Sequence, residues 1–76
     1  MKRVMIRLNP TENVSRFVSI VNRYPYQMDL WSGRHVRDAK SVLEIFSLDL
    51  SRPLSLEIHH DNCDHLLEEL IPFMET

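Results

Sequence analysis

The chain has 76 residues, of which 43% are hydrophobic and 26% charged, and a formal net charge of −2. This length predicts one domain, residues 1–76, with a single core. The composition is too apolar for a disordered chain, and the interspersed charges argue against nucleic acid or a membrane surface as a partner. A lone cysteine excludes an internal disulfide and favours a cytoplasmic location.

The first quarter of the chain predicts a strand followed by a helix. Residues 3–8 alternate apolar and polar side chains, the period of a strand that is covered on one side. Asn9 is a favoured N-cap, Pro10 suits the first helical position, and Glu12 stands where it would complete a capping box. We therefore expect a helix that begins at Pro10.

The next segment predicts a β-hairpin. Residues 26–31 alternate in the same way, and the Ser32-Gly33 pair favours a tight turn into residues 34–37.

The stretch from Asp38 to Leu50 carries the clearest helix start in the sequence. Ser41 is placed as an N-cap, and Glu44 follows three residues later, which is the spacing of a capping box. The segment that follows has more apolar side chains than one buried stripe of a helix requires. We expect this segment to be buried on two sides, with Phe46 in the core.

The C-terminal part predicts a fourth strand and a last helix. Residues 54–59 alternate, and Asp61 or Asn62 is expected to cap a helix whose apolar stripe includes Leu67 as a core residue. The order strand, helix, strand, strand, helix, strand, helix predicts an α+β fold. Specifically, it indicates an open-faced two-layer β-sandwich, a four-stranded, mostly antiparallel sheet with three helices on one face.

Residues 39–50, Ala-Lys-Ser-Val-Leu-Glu-Ile-Phe-Ser-Leu-Asp-Leu, resemble a stretch of the HPr phosphocarrier proteins of the bacterial sugar phosphotransferase system. In that family it reads Lys-Ser-(Ile/Leu)-Met-Gly-Val-Met-Ser-Leu. The element order, the turn at Gly33 and the acidic last helix also agree with the family. The resemblance therefore implies the HPr fold over nearly the whole chain.

The same resemblance implies that the phosphocarrier chemistry is missing. The family carries phosphate on the histidine of a Gly-(Leu/Ile)-His-Ala-Arg-Pro motif, whereas residues 8–13 read Leu-Asn-Pro-Thr-Glu-Asn. Alignment on Lys40-Ser41 places Pro10 at the histidine position, and Glu12 puts a negative charge near the site of the anion. We expect a regulatory or protein-binding, non-catalytic HPr-like domain without a cofactor.

Ser41 matches the serine that an HPr kinase phosphorylates in Gram-positive members of the family. The resemblance thus makes Ser41 a candidate regulatory site, and it makes phosphotransferase-system enzymes or an HPr kinase candidate protein partners. A purely structural cap is the alternative, and the favoured one. A separate prediction is a docking surface on the uncovered face of the sheet, formed by Trp31, His35 and Arg37.

Two alternatives rest on the histidines. A displaced phosphoacceptor, His35 or His60, would make the chain a working phosphocarrier. Residues 59–65 also contain three histidines and a cysteine, which are zinc-ligand types. A small metal-binding protein through the cluster from His59 to His65 is therefore the second alternative. The spacing does not match a zinc finger, so this alternative is not favoured and we name no metal ligands.

Overall fold

The structure is a computed structural model that describes residues 1–74, and its element order is the predicted one. The elements are β1 (Lys2–Ile6), α1 (Glu12–Val21), β2 (Met28–Ser32), β3 (His35–Asp38), α2 (Val42–Ile45), β4 (Leu54–Ile58) and α3 (Asp64–Leu70), with a 3₁₀ turn at Ile71–Phe73. The predicted fold class, an α+β open-faced sandwich, is confirmed. Within the described part of the chain, no helix is long and apolar enough to span a bilayer.

The sheet has the strand order β1-β4-β2-β3, and all its pairs are antiparallel. β4 is central, because it pairs with β1 on one side and β2 on the other. The register places Val4 and Leu30 on either side of Leu56. Gly33 has a φ of +59° at the first position of the two-residue hairpin turn, which fits a type II′ turn.

The helices cover one face of the sheet and enclose a single core. Phe17 from α1 meets Phe73 edge-on, with ring centroids 6.1 Å apart. The largest fully buried side chains come from β1 and the residues after it, from β2 and β4, and from all three helices. They include Ile6, Leu8, Val14, Phe17, Met28, Leu30, Ile45, Leu54, Leu56, Ile58, Leu66 and Leu70.

The predicted start of α1 is wrong by two residues. The helix begins at Glu12 instead of Pro10, and Thr11 is its N-cap, with helical torsions and no side-chain capping bond. The Asn9–Pro10 peptide bond is cis. The chain enters the helix through a tight turn, so neither Asn9 nor Glu12 forms the expected capping box.

The predicted cap of α3 is also wrong. Cys63 occupies the N-cap position, and neither Asp61 nor Asn62 caps the helix through its side chain. The Asp61 carboxylate instead binds the amino group of Met1. The helix ends at Leu70, and Pro72 lies in the 3₁₀ turn that follows.

The expectation that α2 is buried on two sides, with Phe46 in the core, is wrong. Ile45 is fully buried, but Leu43 is 86% exposed and Phe46 48% exposed. The reason is that α2 has only four residues, so it presents a single inward face to the sheet. Leu67 is partly buried and packs against the core.

A pair of truncations tests this placement. Ile45→Ala should lower the free energy of unfolding by about 2–5 kcal/mol, because it leaves a cavity in a packed core. Phe46→Ala should cost about 1 kcal/mol, because half of the ring already faces water. Urea unfolding of both variants measures the difference. An equal loss for both would contradict the single inward face of α2.

Candidate functional site

The start of α1 is the place where the resemblance implies phosphate chemistry, and two of its backbone donors are already in use. The backbone N–H of Asn13 donates to the Pro10 carbonyl, and that of Val14 to the Thr11 carbonyl, each at 3.0 Å. Pro10 has no N–H to offer, and Glu12 places a carboxylate in the first turn. This terminus therefore offers an anion few free donors and a repulsive charge.

Ser41 caps α2 as predicted. Its Oγ accepts a hydrogen bond from the Glu44 backbone N–H at 3.3 Å. The Glu44 carboxylate does not return to the cap but accepts from the Asp38 backbone N–H at 3.3 Å. Lys40 turns away as well, because its Nζ donates to the Tyr24 carbonyl at 2.6 Å.

These contacts bear on the predicted phosphorylation of Ser41. A phosphate there would add negative charge to a segment whose Asp38 and Glu44 carboxylates already bind its backbone, and like charges repel. Lys40 already has a backbone partner on another segment. The surroundings thus favour the structural cap, and phosphorylation of Ser41 stays a prediction.

The exposed side chains of α2 form an apolar surface that the sequence pattern did not reveal. Leu43 and Phe46 are three residues apart, so they lie on the same side of the helical turn. We call them the α2 patch. Arg37 lies at its border, where its Nε donates to the Ser47 Oγ at 3.0 Å. The mixture of apolar centre and cationic border is typical of a protein-binding surface.

The proposed docking trio of Trp31, His35 and Arg37 does not share one face. Trp31 lies opposite Val36 on the open face of the sheet. His35 and Arg37 point to the covered side, with Arg37 directly opposite the buried Leu30. Since none of the four β3 residues is buried, the apolar alternation that separates the two faces of β2 and β4 is absent from β3. A docking role for these residues stays a prediction.

The histidine-rich segment is dispersed in the fold. His60 stacks on Tyr26 at a centroid distance of 4.2 Å, and His65 meets Tyr24 edge-on at 6.3 Å. Cys63 is buried in the core, and this burial raises the pKa of its thiol. The four candidate ligands of this segment therefore do not gather into one zinc site, and within residues 1–74 only His59 of this segment belongs to a group of three metal-ligand side chains.

Two solved structures are similar to this chain over almost its full length. The first is described as HPr-C-His from Thermoanaerobacter tengcongensis, with a TM-score of 0.77, 22% identity, and coverage of 95% of this chain and 89% of that chain. The second is a phosphocarrier protein HPr from Bacillus anthracis, with a TM-score of 0.70, 21% identity, and coverage of 97% and 94%. No protein-family model matches the chain, and no curated protein does.

These likenesses show that the chain has the HPr-like fold. The resemblance inferred from residues 39–50 is confirmed at the level of the fold. At this level of sequence identity the comparison establishes the architecture only. Any activity has to be inferred from the residues of this chain.

The cap on α2 can be tested directly. Ser41→Ala should lower the free energy of unfolding by about 1 kcal/mol, because the Glu44 N–H loses its acceptor. Ser41→Asn keeps an acceptor at the same position and should be nearly neutral. Equilibrium urea unfolding distinguishes the two. If Asn were as destabilising as Ala, Ser41 would contribute nothing as a cap.

Proposed function

We propose that this chain is a regulatory, protein-binding domain of the HPr-like fold that does not carry phosphate on a histidine. The observation that carries the proposal is the start of α1, where the HPr-like fold presents Pro10, Thr11 and Glu12 instead of an imidazole. The proposed setting is the bacterial cytoplasm. The domain acts by binding and catalyses no reaction of its own.

The electrostatics of that terminus support the proposal. A phosphoryl group on a side chain at a helix start is held by free backbone N–H groups and by a cation. Here the N–H groups of Asn13 and Val14 bond within the turn, and Glu12 opposes an incoming anion. A helix start of this kind therefore disfavours the binding of a phosphoryl group.

The alternative of a displaced phosphoacceptor receives little support from the two histidines concerned. His35 follows the hairpin turn on an edge strand, away from any helix start. His60 stacks on Tyr26 and precedes α3, whose N-cap is Cys63. His35 lies in β3 and His60 precedes the N-cap of α3, so neither imidazole belongs to the first turn of a helix.

The α2 patch is the surface through which we propose that the domain binds its partner. Leu43 and Phe46 are large, apolar and exposed. Neighbouring side chains of this kind lower the solubility of a protein unless a partner covers them for part of the time. The enzymes that dock on HPr proteins in the sugar phosphotransferase system are the partner class that the fold suggests. Binding to one of them without phosphate transfer would make the chain a competitor of the carrier.

Titration of the ¹⁵N-labelled chain with the first enzyme of a bacterial sugar phosphotransferase system tests this proposal. The wild type should bind, with its amide shifts changed around α2. Leu43→Ser and Phe46→Ser should weaken the binding by at least about tenfold, the loss of one interface anchor. Both residues are exposed, so both variants should stay folded.

Val36→Ser is the matched control, because Val36 is 39% exposed on the opposite, open face. It should bind like the wild type. Failure of the wild type to bind would contradict this choice of partner, and weakening by Val36→Ser alone would move the docking surface to the open face.

A further inference from the structure

One group of metal-ligand side chains is assembled by the sheet from distant parts of the chain. Within residues 1–74, atoms from Asp29, Glu57 and His59 lie within 4.8 Å of one another. Asp29 belongs to β2 and Glu57 to β4, and they are direct cross-strand partners. His59 follows β4 and keeps its register, since its backbone N–H donates to the Gln27 carbonyl at 2.9 Å.

Carboxylates that face each other across two strands repel, and this row contains three of them. The register runs Arg3, Glu57, Asp29, Asp38 across all four strands. One arginine against three carboxylates leaves two negative charges unbalanced while His59 is neutral. The open face of the sheet thus presents a local negative potential beside a nitrogen ligand.

The spacing of the ligand atoms fits a small divalent ion. His59 Nε2 lies 2.9 Å from Asp29 Oδ2 and 3.4 Å from Glu57 Oε1. Ligands about 2.1 Å from a metal are roughly 3.0 Å apart in an octahedral arrangement and roughly 3.4 Å apart in a tetrahedral one. Both separations fall within the range spanned by neighbouring ligands of one ion, and the oxygens of Asp29 and Glu57 complete a group within 4.8 Å.

A second contact orients the glutamate. Arg3 binds Glu57 Oε2, which leaves the other oxygen, Oε1, turned toward His59. The same arginine holds the pKa of Glu57 below its usual range, so the carboxylate is ionised over a wide range of pH. Hydrogen bonds of this kind to the outer oxygen are what fixes a carboxylate ligand in a metal site.

The ligand atoms are accessible as well as partly buried. The side chains of Glu57, Asp29 and His59 are 10%, 24% and 31% exposed. An ion can therefore enter from solvent and keep water molecules at its remaining coordination positions.

We propose that Asp29, Glu57 and His59 form a binding site for a divalent transition-metal ion, with Zn²⁺ as the ion that suits one imidazole and two carboxylates. An imidazole ligand favours Zn²⁺ over Mg²⁺, which prefers an all-oxygen site. A bound ion would replace the hydrogen bond that now joins His59 Nε2 to Asp29 Oδ2. The site is independent of the α2 patch and of the proposed protein partner.

Isothermal titration of the full chain with Zn²⁺, in a buffer that does not bind metal, tests the proposal. The wild type should bind one ion per chain, and Mg²⁺ should bind much more weakly. Asp29→Asn and His59→Asn should each weaken Zn²⁺ binding by at least about tenfold, because even outer-sphere losses weaken metal sites on that scale. Amide spectra establish that each variant is folded.

His60→Asn and His65→Asn are the controls, because each removes an exposed imidazole of the same segment that lies outside the triad. Both should bind Zn²⁺ like the wild type, and Zn²⁺ should shift the ¹⁵N resonance of His59 Nε2. Absence of binding to the folded wild type would overturn the site. Loss of binding in a control with retention in Asp29→Asn would do so as well, because it would place the ion elsewhere.

Discussion

The rest of the structure depends on the burial of one face of the sheet. β4 is paired on both sides, and its inward side chains Leu54, Leu56 and Ile58 are fully buried under the helices. Every strand paired with it must then direct the same alternate residues inward, which fixes the register of the whole sheet. The opposite face is left open, and it carries the charged row that includes Glu57 and Asp29. One constraint therefore creates both the core and the surface available for binding.

The sequence was sufficient to predict the architecture because its signals are local and periodic. Strand alternation at residues 3–8, 26–31 and 54–59, with the cap at Ser41, determined the order of the elements. Phe46 could not be placed in this way. A helix of one turn is too short for an apolar period to mark its inward face, so hydrophobicity alone cannot tell Ile45 from Phe46.

The candidate sites were harder to predict, because they depend on contacts between distant residues. Asp29 and Glu57 are 28 positions apart in the sequence, and only the register of β2 on β4 makes them neighbours. The histidine-rich segment suggested instead that its ligands would come from adjacent positions. For the phosphate site the sequence was informative, since the residues that fill the start of α1 can be read directly. The structure adds that the backbone amides of Asn13 and Val14 are hydrogen-bonded within the turn.

We propose above all that this chain, despite its HPr-like fold, accepts no phosphate on a histidine. Incubation with phosphoenolpyruvate and the first enzyme of the phosphotransferase system, followed by intact-mass analysis, tests it most directly. The Bacillus anthracis HPr serves as the positive control in the same reaction. We expect the mass of this chain to stay unchanged while the control gains a phosphoryl group. A stoichiometric, acid-labile gain on this chain that disappears in His35→Ala or His60→Ala would contradict it.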